Sequence, residues 1–125
     1  MTQSSTLPQL SALIAAPQAG EVAMFNDMVA MATALQGRGM APDQICCLHG
    51  RVTKTAVLNF LQELSSKIKE GTLFIHISGH GFFTGETAEV AHPGLIFADT
   101  HLLWDEFFAA LVLPTSVNMI LLPDL

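Results

Sequence analysis

Short apolar runs alternate along the chain with longer stretches in which apolar residues recur at helical spacing. Each apolar run has the length of a β-strand, whereas the stretches between them place apolar residues every three or four positions, as an amphipathic helix does. The pattern predicts four main strands, at Leu10–Ala16, Gln44–Leu48, Thr72–Ser78 and Val117–Leu122, and a small extra strand at Gly94–Ala98. It predicts helices at Glu21–Gln36, Lys54–Ile68 and Leu103–Val112.

The order of these elements predicts an α/β three-layer sandwich with a mainly parallel sheet. Strands that alternate with helices are typical of β-α-β units, and right-handed crossovers place helices on both faces of the sheet. We expect the main strands in the spatial order 2-1-3-4, counted along the chain. Functional groups in such sheets gather beyond the carboxyl ends of the strands. That rule selects Pro17–Glu21, His49–Thr53, Ser78–Thr84 and the residues after Leu122.

Charge and composition exclude several classes of function. The chain has 125 residues and a formal net charge of −6, with only five Lys and Arg. Five basic residues are too few to form a basic face that neutralises phosphates, and we therefore expect no nucleic-acid partner. An acidic chain is better suited to cationic substrates. No apolar run approaches the roughly 18 residues of a membrane-spanning helix, and the N-terminus shows no secretory signal pattern. We therefore expect no membrane partner and a cytoplasmic location.

The cysteines and most histidines are interpreted as structural. Cys46 and Cys47 are adjacent in the second predicted strand, where neighbours point to opposite faces, so they are poorly placed to bond to each other. His76 alternates with apolar residues in the third strand and is interpreted as a core histidine with satisfied hydrogen bonds. Metal-ligand spacing is lacking for His49, His92 and His101. We expect no metal site.

The outstanding local feature is Ser78-Gly79-His80-Gly81, at the carboxyl end of the third predicted strand. A histidine between two glycines has little steric cover, so its ring can reach a substrate, and the glycines permit close approach of another chain. The residues alone leave two interpretations open. His80 is either a functional histidine at the edge where α/β sheets carry their sites, or an incidental surface histidine in a glycine-rich turn.

The segment Phe74–Gly81 resembles the catalytic-histidine strand of caspases, metacaspases and bacterial orthocaspases. The resemblance covers nearly the whole chain in order. Further similar segments are Ser11–Ala16, Ala23–Met28 with the Asn-Asp pair typical of metacaspases, Val52–Lys54, Gly94–Asp99, Leu103–Leu111 and Val117–Asp124. The resemblance implies that residues 1–125 form the N-terminal, large-subunit part of a caspase-like domain.

The resemblance also implies where the nucleophile lies. In the family the fourth strand runs into Asp-x-Cys-x-Ser-Gly, and this chain offers Asp124-Leu125, so the catalytic cysteine is expected directly after Leu125. The rule that places a caspase histidine about 50 residues before its cysteine agrees with that position. The chain alone is then expected to be inactive, and neither Cys46 nor Cys47 is expected to be the nucleophile.

Three residues of this chain match positions with a role in the family. His80 is implied as the general base toward the thiol, or as the cation of a thiolate–imidazolium pair. The backbone N–H of Gly81 is implied as an oxyanion donor. Asp27 is implied at the bottom of the substrate pocket, where a carboxylate selects Arg or Lys; Met24 stands where the family often has cysteine. Some metacaspases bind calcium through an acidic cluster, which this sequence lacks, so we expect no cofactor.

The function that these features predict is that of a cysteine-type endopeptidase cleaving proteins or peptides after Arg or Lys. Because half of its residues are hydrophobic, the chain is expected to be held by a partner, either a Cys-bearing C-terminal remainder (small subunit) or a second copy. The Gly81–Gly94 segment is expected to form a mobile loop near the site. Two alternatives remain, a non-catalytic caspase-like binding or regulatory module and a CHAT-type protease domain of a bacterial defence system.

Overall fold

The computed structural model describes residues 8–18, 20–84 and 92–125. Its strands are β1 (Leu10–Ala15), β2 (Ile45–Leu48), β3 (Gly71–Ser78), β4 (His80–Thr84), β5 (His92–Ile96), β6 (His101–Leu103) and β7 (Val117–Asp124). Its α-helices are α1 (Ala23–Gly37), α2 (Lys54–Lys67) and α3 (Trp104–Ala110), and a short 3-10 helix covers Pro42–Gln44. No helix within the described ranges is long and apolar enough to cross a membrane.

Four strands form a parallel sheet in the order β2-β1-β3-β7. This is the predicted order 2-1-3-4, because β7 is the fourth main strand of the prediction. In register, Ile75 of β3 lies between Ala12 of β1 and Leu121 of β7. The β3 strand is therefore central, which explains why the sequence there is apolar at almost every position.

The helices cover both faces of this sheet, as predicted. Leu13 and Ala15 of β1 point to one face, where they pack against Met28 and Leu35 of α1. The alternate residues of β1 and β3 point to the other face, against α2 and α3. That larger cluster contains Ala12, Ile14, Leu73, Ile75, Ile77, Val57, Leu61, Leu64 and Phe107. Alternation along a strand thus assigns each residue of β3 to the α1 face or to the α2–α3 face.

A second, antiparallel sheet in the order β4-β5-β6 follows the central strand. The prediction of one loop over Gly81–Gly94 is therefore wrong at both ends, since β4 and β5 pair across it; residues 85–91 lie outside the described residues. The small strand predicted at Gly94–Ala98 begins earlier, at His92. Gly94 permits the pairing, because a Cβ there would collide with the carbonyl oxygen of Leu102 in β6.

The N-terminus of α2 is tied to the second sheet and to α3. Thr53 Oγ1 accepts a hydrogen bond from the Ala56 N–H at 3.2 Å, and Asp99 Oδ1 accepts one from the Lys54 N–H at 3.0 Å. Lys54 Nζ contacts Glu106 Oε2 at 2.8 Å. Asp99 and Glu106 thus join elements that are far apart in the chain.

The β7 strand leaves apolar surface exposed. It pairs with β3 on one side, and no described strand pairs with its other side. Ile120 and Leu122 are 52% and 50% exposed. In register they lie beside Phe74 and His76 on the α1 face, so α1 does not cover this part of the sheet.

The Thr53 cap should contribute measurably to stability. We expect Thr53→Ala to lower the free energy of unfolding by about 1 kcal/mol, because a helix N-terminal N–H loses its acceptor. Chemical denaturation measures the change. Thr33→Ala is the matched control, since the exposed Thr33 hydroxyl donates only to the Val29 carbonyl within α1. This substitution should change the free energy of unfolding by less than about 0.5 kcal/mol. Equal effects of the two substitutions would contradict the capping role.

Candidate functional site

The carboxyl ends of β1, β3 and β7 are held together by the backbone of two residues. The Ala16 N–H donates to the Ser78 carbonyl at 2.8 Å, and the Gly79 N–H donates to the Asp124 carbonyl at 3.1 Å. A Cβ on Gly79 would lie 3.1 Å from the Ala16 carbonyl oxygen, so glycine allows this close approach. His80 is predicted at the end of the third strand, and the structure places it one residue past β3, as the first residue of β4.

His80 contacts a carboxylate that the sequence analysis does not single out. Its Nε2 lies 2.8 Å from Glu21 Oε1 and 3.0 Å from Glu21 Oε2. The hydrogen bond from His80 is the largest cause that holds the pKa of Glu21 below its ordinary value, and a hydrogen bond from the Gln18 backbone adds to it. Glu21 is therefore ionised at neutral pH and can only accept hydrogen bonds.

The loop after β1 sets the position of Glu21. The Gln18 N–H donates to Glu21 Oε1 at 2.7 Å, and the Glu21 N–H donates to the Gln18 carbonyl at 3.1 Å. Between them, Gly20 has a φ of 82°, which favours glycine. The sequence pattern assigned Glu21 to the first turn of a helix, but α1 begins at Ala23. Its position at the carboxyl end of the first strand was the one signal that could have identified it.

An open cavity of about 290 Å³ brings Asp27 of α1 together with Asp124 and His76. Ser78, almost fully buried, donates its hydroxyl to Asp27 Oδ2 at 2.9 Å. The rest of the lining is small or flexible, namely Ala30, Met31 and Ala34. His76, Ser78 and Asp124 share the α1 face of the sheet, since Ser78 is paired with Asp124 in register. The cavity thus presents two carboxylates to one space and suits a cationic side chain.

His76 differs from its predicted role in one respect. It is buried, at 5% exposure, as a core histidine should be. Its Nδ1, however, has no hydrogen-bond partner among the described residues. A buried polar atom without a partner costs stability unless a ligand or water supplies one. The burial of His76 agrees with a core histidine, whereas its Nδ1 is not satisfied by any described residue, and the ring adds a third polar group to the lining of the cavity.

Gly81 lies against the last residue of the chain. A Cβ on Gly81 would be 3.2 Å from Leu125 Cδ1 and 3.6 Å from Leu125 Cβ. Since Gly79 is also bonded to Asp124, the residues immediately before and after His80 both lie against residues 124 and 125. The backbone that flanks His80 thus lies at the end of β7.

A second cavity, of about 390 Å³, opens beyond Glu21. Its lining combines Gln18 and Glu21 with Arg51, which follows β2. The side-chain Nε2 of Gln18 is buried and has no partner among the described residues. The two cavities therefore differ in their charged groups, since one is lined by Asp27 and Asp124 and the other by Glu21 and Arg51.

The two cysteines lie away from this arrangement. Cys46 and Cys47 belong to β2, and β1 separates β2 from β3. Burial raises the pKa of the Cys47 thiol, and the neighbouring Cys46 raises it further, so the reactive thiolate is disfavoured there. Within the described residues, no group of three His, Cys, Asp or Glu side chains is arranged to hold a metal ion.

Comparison with known proteins supports the fold. The crystal structure of protein GSU0716 from Geobacter sulfurreducens matches this chain with a TM-score of 0.70 at 18% sequence identity. The match covers 92% of this chain and 50% of that protein, so the present chain spans about half its length. Neither the protein-family models nor the curated proteins give a match. At this identity the likeness concerns the α/β fold alone.

The Glu21–His80 contact predicts that the pKa of Glu21 depends on His80. The ionised carboxylate favours the folded state above the ordinary glutamate pKa of about 4.3, and this contribution is lost as pH falls through the lowered value. We expect His80→Ala to raise the pKa of Glu21 toward its ordinary value, as followed by carbon NMR of the carboxylate. Glu106, whose pKa is lowered chiefly by the hydrogen bond from Lys54, serves as the control in the same spectrum and should not move. An unchanged Glu21 titration would contradict the contact.

Proposed function

We propose that this chain forms the histidine-bearing part of a caspase-like cysteine endopeptidase that cleaves after Arg or Lys. The thiol is supplied by a cysteine directly after Leu125, in a Cys-bearing remainder that also completes the sheet. His80 serves as the base toward that thiol, and the Gly81 N–H helps to bind the oxyanion of the tetrahedral intermediate. Asp27 binds the basic side chain of the substrate.

One observation carries the proposal, namely the position of His80 next to the end of β7. The Gly79–Asp124 hydrogen bond and the Gly81–Leu125 contact bracket His80. A residue that follows Leu125 would therefore begin near the backbone of His80, and a nucleophile and its base must come within hydrogen-bonding range of each other. A cysteine at that position would acquire a lowered pKa from a neighbouring imidazolium.

The cavity at Asp27 supports the preference for basic residues. Asp27 and Asp124 supply two carboxylates, and the Ser78 hydroxyl holds one of them in place. A guanidinium has five donors in a planar fork, and an ammonium has three, so both can be bound by such a group of acceptors. The net charge of −6 attracts cationic peptides in addition.

The partner in this proposal is the polypeptide that covers β7. The exposed side chains of Ile120 and Leu122 flank the cavity and lie on a strand whose outer edge no described strand occupies. Open edges of this kind are usually paired or covered in native proteins. The comparison structure is about twice as long as its matched part, which is consistent with a second half of the domain.

A peptide panel tests the proposed activity on this chain combined with its Cys-bearing remainder. We expect cleavage of fluorogenic peptides with Arg or Lys before the scissile bond. His80→Ala should abolish cleavage, because the thiol loses its base. Asp27→Ala should lower kcat/KM for basic peptides by roughly 10- to 100-fold, the equivalent of about 1.5–3 kcal/mol for a charge-assisted hydrogen bond.

Asp43→Ala is the matched control for the panel. Asp43 is an exposed aspartate in the 3-10 helix before β2, at the end of the sheet opposite the site, and its loss should leave cleavage unchanged. Full activity in His80→Ala would eliminate the assignment of the base. A preference for Asp before the scissile bond would keep the fold and remove the role of Asp27. Absence of cleavage with every peptide would favour the non-catalytic binding module.

Binding of an arginine side chain can be tested on the chain without a nucleophile. We expect N-acetyl-arginine methylamide to shift the amide NMR signals of Asp27, Ser78 and Asp124, because the guanidinium enters the cavity between the carboxylates. N-acetyl-citrulline methylamide has nearly the same shape without the charge and should produce much smaller shifts. Asp27→Asn should reduce the difference between the two ligands, since only Asp124 then carries a charge in the cavity, whereas Asp43→Asn should preserve it. Equal shifts by both ligands in the unmodified chain would argue against a cation pocket.

A further inference from the structure

The contact with Glu21 determines which nitrogen of His80 can act as a base. Both oxygens of Glu21 lie within hydrogen-bonding distance of Nε2, at 2.8 and 3.0 Å. An ionised carboxylate accepts hydrogen bonds and donates none. Nε2 must therefore carry the hydrogen when the imidazole is neutral, and the lone pair lies on Nδ1.

The carboxylate is held in place by its own loop, independently of His80. The Gln18 N–H donates to Oε1 at 2.7 Å, and the Glu21 N–H donates to the Gln18 carbonyl at 3.1 Å. The backbone turn therefore fixes Glu21, and Glu21 in turn restricts the rotation of the imidazole. The loop after β1 thus positions Glu21, and Glu21 positions the base.

We propose that Glu21 is the positioning residue of His80, which fixes the Nε2–H tautomer and leaves Nδ1 as the proton acceptor. The inference rests on the proposed peptidase function and adds a third residue to its catalytic pair. In the activation step the S–H bond of the thiol breaks, the proton moves to Nδ1, and sulfur keeps the electron pair as thiolate. The Nε2–H remains bonded to Glu21, whose negative charge stabilises the imidazolium that forms. The carboxylate itself takes up no proton.

The solvent exposure of His80 and Glu21 decides which measurements can test the role of Glu21. The side chains of His80 and Glu21 are 40% and 33% exposed, and an ion pair exposed to this extent adds little stability. An effect of Glu21 on unfolding would therefore be small and would not separate a positioning role from a structural one. The tautomer of His80 and the turnover number are the quantities that a positioning role changes.

Nitrogen NMR of the imidazole tests the inference on the chain itself, without any nucleophile. At a pH where His80 is neutral, we expect its Nε2 signal to be that of a protonated nitrogen and its Nδ1 signal that of an unprotonated one. Glu21→Ala should convert this single tautomer into a mixture of both, because no acceptor then selects Nε2–H. Glu21→Asp retains the charge and should keep Nε2–H as the major tautomer. The signals of His92 and His101 provide internal references that should not change.

The completed peptidase supplies the second measurement. Glu21→Ala should lower kcat by roughly 10- to 100-fold, toward the lower part of what a positioned general base contributes, with little change in KM. Glu21→Asp should recover part of the loss. Glu63→Ala is the matched control, since Glu63 lies on the exposed side of α2, and it should leave kcat unchanged.

Each outcome supports or overturns the role of Glu21. An Nδ1–H tautomer in the unmodified chain overturns it even if no variant folds, and so does a tautomer that is the same with and without the Glu21 carboxylate. A kcat that Glu21→Ala leaves unchanged also overturns it. If no peptide is cleaved by the unmodified peptidase, the proposed function fails, whereas the NMR measurement still decides whether Glu21 sets the tautomer.

Discussion

The backbone of Ser78 and Gly79 is hydrogen-bonded on both sides, to Ala16 and to Asp124, and the candidate site takes its geometry from these two bonds. They fix the end of the central strand between the ends of its neighbours. The Ser78 side chain is thereby directed to Asp27 on the α1 face, and the chain leaves the sheet one residue later so that His80 begins the second sheet. A side chain at position 79 would press on the Ala16 carbonyl and would separate strands whose proximity creates the site.

Three carboxylates surround this point, and their surroundings give them different chemistry. Glu21 is bound by a backbone N–H and by His80, which lower its pKa and leave it an acceptor for the imidazole. Asp27 accepts a hydrogen bond from buried Ser78 and still lines an open cavity, shared with Asp124. One carboxylate is therefore committed to the ring, whereas the other two remain accessible to a cationic ligand. In the proposed peptidase, Glu21 would serve the acid–base chemistry of His80, whereas Asp27 and Asp124 would bind the charge of the substrate.

The sequence predicted the main sheet well because hydrophobic periodicity and β-α alternation are local signals with strong topological consequences. The strand order follows from these two signals. That order places β3, which precedes His80, beside β7, which carries Asp124. The short strands β4 and β6 escaped prediction, since His80–Thr84 and His101–Leu103 have too few residues to show a period. Glu21 and the Nδ1 of His76, which has no hydrogen-bond partner among the described residues, escaped prediction for a different reason. Glu21 is identified by a contact with His80, which is distant in the chain. The Nδ1 of His76 is identified by the lack of such a contact among the described residues. Neither the spacing nor the type of the residues reveals these features.

The exposed face of β7 and the acidic cavity lie on the same face of the sheet, so in the proposed peptidase a partner that covers β7 would also affect substrate specificity. Ile120 and Leu122 lie on the α1 face in the same rows as Phe74 and His76, immediately before Asp124. A layer that buries those apolar side chains would also enclose Asp27 and Asp124 and remove water from around them. Attraction between a carboxylate and a cation strengthens as the local dielectric falls. Covering β7 would therefore convert an open, weakly selective acidic surface into a pocket that strongly prefers a basic side chain.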